Sequence, residues 1–255
     1  MTTVRREGTE PELRKLGLGR VPMILMYHGV DDVAEDPHQL CVSPARFAEQ
    51  MATLQRMGLR GVSVGTLMDA MRADRHRGLV GITFDDGYVN VLESALPELK
   101  RRGFTASVYI ISGRLGGTNE WDEGPEWPLL TGPQVAELAA AGLEIGSHST
   151  THVRLAGLAA AELEAEVSGS RASLGDLLGS PVRGFAYPYG SMDAAARRAV
   201  RDAGYEYACA VQTPMADLGT MALPRVYIGQ QDSAARMAAK RLLFRGYIAV
   251  KGIRP

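Results

Sequence analysis

The sequence predicts a single α/β domain, a distorted (β/α) barrel of seven parallel strands. Three observations carry that reading. Short apolar runs alternate with amphipathic segments along the 255 residues, and such strand–helix alternation joins parallel strands by right-handed crossovers. About seven such units suit a closed barrel better than an open doubly wound sheet, which is the alternative architecture. The side chains able to do chemistry also fall just after strands, and the C-terminal strand ends are where barrel enzymes place their sites.

Residues 1–20 read as a flexible arm and 21–255 as the barrel domain. Met23–Tyr27 is the first strand. Ser43-Pro44 supplies a helix N-cap and a proline at the first helical position, Phe47, Met51 and Leu54 share one face, and Gly58 stops the helix. A shorter helix spans Gly65–Met71. Leu79–Phe84 is a strand that runs straight into Asp85-Asp86-Gly87. A helical region broken near Pro97 ends in the basic cluster 100–102 and Gly103. Strand Thr105–Ile111 then opens a long loop, 112–130, carrying Trp121 and Trp127. Thr131 caps a helix to Ala141, Gly142 ends it, and Leu143–Ile145 is the next strand. An Ala/Leu/Glu helix covers about 158–178 and reads as a barrel helix with a solvated face. Strand Gly184–Tyr187, helix Asp193–Ala203, strands Tyr205–Val211 and Leu223–Ile228, and a helix over about 232–244 complete the chain.

With 45% apolar and 22% charged residues the composition is that of a globular protein. Twenty-nine acidic and 28 basic side chains leave a charge of -1, without the basic excess of a chain that lives on nucleic acid. No run approaches ~18 apolar residues, so no spanning helix is expected. No 7–15-residue apolar signal region follows the N-terminus, which points to the cytoplasm. Cys41 and Cys209 read as buried free thiols. Neither a G-x-G-x-x-G nor a Walker lysine motif argues for a nucleotide.

Taken alone, Thr83-Phe84-Asp85-Asp86-Gly87 is a polar turn. His148-Ser149-Thr150-Thr151-His152 also follows a strand, and imidazoles four apart can converge on one metal. No glutamate follows the first histidine, so the zincin pattern is absent. The chain has only five histidines, and two of them meet at one strand end. Two histidines and one carboxylate form a three-ligand set that leaves positions for water and substrate, and the second carboxylate is free to serve as a base. Phe185-Ala186-Tyr187-Pro188-Tyr189-Gly190, again strand then turn, is either packed tyrosines or a rigid loop aiming a backbone N–H at an oxyanion.

These three motifs, in this order and spacing, resemble the polysaccharide deacetylases of carbohydrate esterase family 4, over nearly the whole stretch from Val21 to about Ile228. The resemblance implies a distorted (β/α) barrel, usually of seven strands, and one divalent metal ion, zinc before cobalt, nickel or manganese. It makes Asp85 the general base, Asp86, His148 and His152 the metal ligands, and the Tyr189 N–H an oxyanion donor.

Two departures stand out. The arginine that often opens the third motif is missing, leaving Arg183 or Arg225 as substitutes, with Arg225 favoured because it ends a strand. No histidine follows His152 to act as acid. Met26-Tyr27-His28-Gly29-Val30, however, resembles the N-terminal Y-H-x-V motif of a circularly permuted branch, which makes His28 the acid.

Trp121 and Trp127 could stack on a sugar or clamp their loop to the barrel. His38 and His76 read as exposed. The expected reaction is removal of N-acetyl groups from an amino sugar, with an N-acetylated saccharide as substrate and neither nucleic acid nor an integral membrane segment as partner. An O-acetyl esterase, another C–N hydrolase on the same scaffold, and an inactive carbohydrate-binding module are the alternatives.

Overall fold

The computed structural model describes residues 23–211 and 219–251, so the expected arm over 1–20 lies outside the described residues. In chain order the strands are β1 (Ile24–Tyr27), β2 (Gly29–Val30), β3 (Cys41–Val42), β4 (Arg60–Val62) and β5 (Leu79–Phe84). They continue as β6 (Ser107–Ile110), β7 (Glu144–Ser147), β8 (Gly184–Ala186), β9 (Tyr207–Val211) and β10 (Leu223–Tyr227). The α-helices are α1 (Pro44–Arg56), α2 (Val64–Arg72), α3 (Leu96–Arg101), α4 (Gly132–Ala140), α5 (Ala160–Leu163), α6 (Gly169–Leu178), α7 (Ala194–Asp202) and α8 (Ala234–Lys251).

β1 closes the barrel. It pairs in parallel with β10 on one side and β5 on the other, and β9, β8, β7 and β6 complete the ring. Seven parallel strands therefore form a closed barrel, as expected, and the open sheet is excluded. β4 is an addition that the sequence did not announce. Gly81 of β5 pairs with both Ile24 and Val62, whereas Thr83 pairs with both Met26 and Ser107. β4 and β6 thus follow one another along the same edge of β5. Gly61 permits the close approach: a Cβ there would run into the Ile82 side chain and the Phe104 ring.

Strand alternation sorts the core into two layers. Ile24, Tyr109, Ala186, Tyr207, Cys209 and Leu223 pack together in one cluster. Leu25 and Tyr27 belong to the other, against Phe47, Met51 and Leu54 of α1, with the Tyr27 and Phe47 rings edge to face at 5.4 Å. Cys41 and Cys209 are buried free thiols, and the Tyr109 hydroxyl lies 3.1 Å from the Cys209 sulfur.

Helix ends follow local chemistry. The Ser43 hydroxyl accepts the Arg46 N–H at 3.2 Å, and Thr131 and Gln134 form a reciprocal capping box. The helix expected to break near Pro97 does not break. A π-helical turn over Val91–Ala95 leads directly into α3, with Pro97 as the second residue of that α-helical stretch. A second π-turn, Glu164–Ser168, joins α5 to α6 within the Ala/Leu/Glu segment. The last helix runs to Lys251, beyond the expected end near 244. His38 is exposed, but His76 is half-buried.

Candidate active site

All three motifs meet at the C-terminal rim. The Asp85 N–H donates to the Tyr27 carbonyl at 3.0 Å, extending the β1–β5 ladder by one step. That register sets His28, the residue after β1, beside the Asp85-Asp86 turn. Asp86 and Gly87 then both take left-handed backbone, with φ of 69° and 78°. For an aspartate this is an uncommon conformation, and its cost is borne where the chain must turn its carboxylate sharply.

After β7, the His148 N–H donates to the Ile110 carbonyl at 2.8 Å. Ser149 and His152 are left-handed as well, with φ of 66° and 69°, and the Ser149 hydroxyl accepts the His152 N–H at 3.0 Å. The π-turn supplies the brace for this tight loop. The buried Glu166 carboxylate accepts the N–H groups of Thr150 at 3.0 Å and Thr151 at 2.9 Å, and the Thr151 hydroxyl at 2.5 Å.

The loop brings two imidazoles onto one carboxylate. Asp86 Oδ1 lies 3.4 Å from His148 Nε2 and 3.3 Å from His152 Nε2. Ligands about 2.0–2.1 Å from one tetrahedral ion stand about 3.3–3.4 Å apart, so both sides that meet at Asp86 have the length of a metal-ligand set, and all three ligand atoms lie within 4.8 Å of one another. The donor chemistry fits too. Nδ1 of His148 faces the Ala186 carbonyl at 2.8 Å and must carry the proton, leaving the Nε2 lone pair free. Burial pushes the His148 pKa down to about 4, so the ring is neutral near pH 7. Asp86 is buried with Oδ1 lacking a hydrogen-bond donor, a costly state that a cation would relieve. Burial raises its pKa, but His152, His28 and His148 outweigh burial and hold it below the carboxylate range.

Asp85 has a different neighbour. Arg225 of β10 grips it with two bonds, Nη1 to Oδ1 at 2.6 Å and Nη2 to Oδ2 at 2.7 Å. The same Nη1 donates to the Thr83 hydroxyl at 3.2 Å, and that hydroxyl donates to the Leu25 carbonyl at 2.8 Å. Burial acts to raise the Asp85 pKa, but the charges of Arg225, His148 and His28 lower it overall. Of the two candidate arginines, only Arg225 reaches this site. Arg183 precedes β8 at the opposite rim and pairs with Asp69 at 2.8 Å and Glu206 at 2.9 Å.

His28 is half-buried, its Nδ1 has no hydrogen-bond partner, and its charge acts on both aspartates. Tyr189 is left-handed at φ 56°, between Pro188 and Gly190, which turns the chain sharply after β8. Its ring lies 4.6 Å from that of His152, with the Arg154 guanidinium 4.3 Å from its centroid. Trp121 covers another side of His152 at 4.6 Å, while Trp127 packs edge-on against Tyr88 at 5.4 Å. Trp121 therefore borders the site and Trp127 clamps the loop. Asn119, buried, ties that loop by accepting the Trp127 N–H at 2.5 Å.

Glu166, Asn119 and Tyr88 escaped the sequence reading. Glu166 stands among several glutamates with no spacing to single it out, and only the π-turn reveals it. Asp86, Ser149, His152 and Tyr189 supply four of the six non-glycine residues with positive φ among the described residues, a concentration of strain that no local pattern forecast.

The polysaccharide deacetylase family model matches residues 72–208. YxkH of Bacillus subtilis (strain 168), a polysaccharide deacetylase by name, is 27% identical over 220 residues, which are 85% of this chain and 74% of that protein. The structure of IcaB from Ammonifex degensii superposes with a TM-score of 0.71 at 26% identity, covering 85% of this chain and 95% of that one. The Streptococcus pyogenes deacetylase PplD, solved with acetate, gives a TM-score of 0.73 at 22% identity over 86% and 96% of the two chains, a likeness of fold.

Proposed function

The chain belongs to the polysaccharide deacetylase family, and from that premise we propose that it is a metal-dependent hydrolase removing N-acetyl groups from an amino sugar and releasing acetate. One observation supports this most: the Asp86–His148–His152 triangle has ligand spacing and stands beside a second carboxylate held by Arg225.

Asp86, His148 and His152 would hold one divalent ion, zinc before cobalt, nickel or manganese, through Oδ1 and the two Nε2 atoms. Bound there, such an ion supplies a Lewis acid for the acetyl carbonyl and lowers the pKa of a coordinated water. Asp85 is the base. Arg225 keeps it ionised, and in the reaction it takes a proton from the attacking water. The Tyr189 N–H donates to the oxygen that gains charge as the carbonyl carbon becomes tetrahedral. His28 gives a proton to the nitrogen as the C–N bond breaks, because an amine is a poor leaving group as an anion. Trp121 offers an apolar face at the rim for a sugar ring.

Metal content and acetate release from N-acetylglucosamine oligomers test the reading together. Wild-type protein should carry about one ion per chain and release acetate, and His148→Ala should lose both. Unchanged metal content in His148→Ala would remove the basis of the proposal.

A further inference from the structure

The near-zero net charge of the whole chain conceals a strongly one-sided segment. Asp232 is the last acidic residue, and Arg236, Lys240, Arg241, Arg245, Lys251 and Arg254 all follow it. Most of this segment is α8, which descends the outside of the barrel against α1. Met237 and Phe244 are its buried contacts. The opposite face carries Ala235, Ala238, Ala239, Leu242 and Leu243, all exposed. Leu242 and Leu243 are 73% and 68% exposed, the highest values of any large apolar side chain among the described residues.

Such a stripe is expected to be covered by something. The bonds of Arg236 and Arg241 run to the carbonyls of Gln231 and Met57, and among the described residues neither is paired with a carboxylate, whereas Lys240 is paired with Asp232 at 2.6 Å. A cleft of about 690 Å³ opens along the same helix, with Ala239 and Leu243 on its wall and Arg236 beside them. Its two carboxylates are already engaged, Asp232 by Lys240 and the Gly229 N–H, and Asp36 by the Leu40 and Cys41 N–H groups.

From this juxtaposition we infer that the exposed face of α8 rests on an anionic lipid bilayer, with Leu242 and Leu243 in the headgroup–acyl boundary and the flanking arginines against lipid phosphates. A second copy suits the face less well. In a two-fold contact through α8, two basic helices would meet with no carboxylate on either to separate them. A surface both apolar and anionic answers the leucines and the cations at once. Among the described residues no helix is long and apolar enough to cross a membrane, so the contact is peripheral.

Co-sedimentation of the full chain with vesicles tests this. Binding is expected to equimolar phosphatidylglycerol–phosphatidylcholine vesicles, weak on phosphatidylcholine alone, and lost at high salt. Leu242→Gln with Leu243→Gln should weaken it by about tenfold or more, and Arg236→Gln by about fivefold, with unchanged thermal melting. Failure to sediment with anionic vesicles, equal binding to both vesicle types, or full binding by the double leucine variant would overturn the inference. So would a dimer seen by light scattering that the double variant abolishes in protein without vesicle affinity, which would assign the face to a second copy.

Discussion

Asp85 and Asp86 are neighbours in sequence with opposite surroundings. Asp86 faces two imidazole nitrogens, and Asp85 faces a guanidinium. Asp85→Asn should therefore retain metal, measured by elemental analysis, while turnover falls by about two orders of magnitude or more. Loss of metal in that variant would mean the two aspartates share the ligand role. His28 divides along another line. An amide needs a proton on its nitrogen at departure, whereas an activated aryl ester does not. His28→Ala should accordingly slow N-acetyl sugar hydrolysis by about 10²–10⁴-fold and spare the aryl ester. Equal losses on both substrates would assign His28 a structural part. Asp85, Asp86, His148 and His152 stood out in the sequence because each pair sits at a strand end, and proximity along the chain brought them forward together. The Arg225–Asp85 contact joins residues 140 apart, and in the sequence it showed only as an arginine at the end of a strand.

At the scale of elements, strands written as short apolar runs were legible, and so were helices with side-chain caps. Seven strand segments read from the sequence became the seven strands of the ring. β4 was not legible, because Gly61 leaves its middle position blank and its neighbours Ile82 and Phe104 fill the space. The π-turns were equally hidden, since one extra residue per turn leaves no compositional trace. The turn at Glu164–Ser168 has a consequence for the site, because it carries the carboxylate that ties Thr150 and Thr151 between the two imidazoles. Glu166 touches no ligand atom, yet its loss frees two part-buried N–H donors and loosens the loop. Glu166→Ala should lower metal affinity by about tenfold, read by competition with a chromophoric chelator, without unfolding the protein. Affinity within twofold of wild type would show that the loop holds its shape unaided.

Closure of the whole barrel and support of the base are performed by the same side chain. Arg225 on β10 reaches past β1 to Thr83 of β5 and to Asp85 just after that strand, while Thr83 also holds the Leu25 carbonyl of β1. Three strands at the seam are thus joined through one buried ion pair, its guanidinium fully covered and its carboxylate 3% exposed. Breaking such a pair from one side leaves a buried charge uncompensated, so Arg225→Met should destabilise by about 3–5 kcal/mol. Replacing both partners removes both charges, and Arg225→Met with Asp85→Asn should recover much of that loss while remaining inactive. Acidity supplies an independent check on the sign. Arg225 contributes to a lowered Asp85 pKa in the folded state, so the stability linked to this carboxylate is fully present above its unfolded value of about 3.9. It is lost as pH falls through the folded value. Urea denaturation of metal-free protein should accordingly show wild type losing stability relative to the double variant only below about pH 4. If the gap instead held constant down to pH 2, or the double variant were as unstable as Arg225→Met alone, the seam would owe its strength to packing rather than to the ion pair.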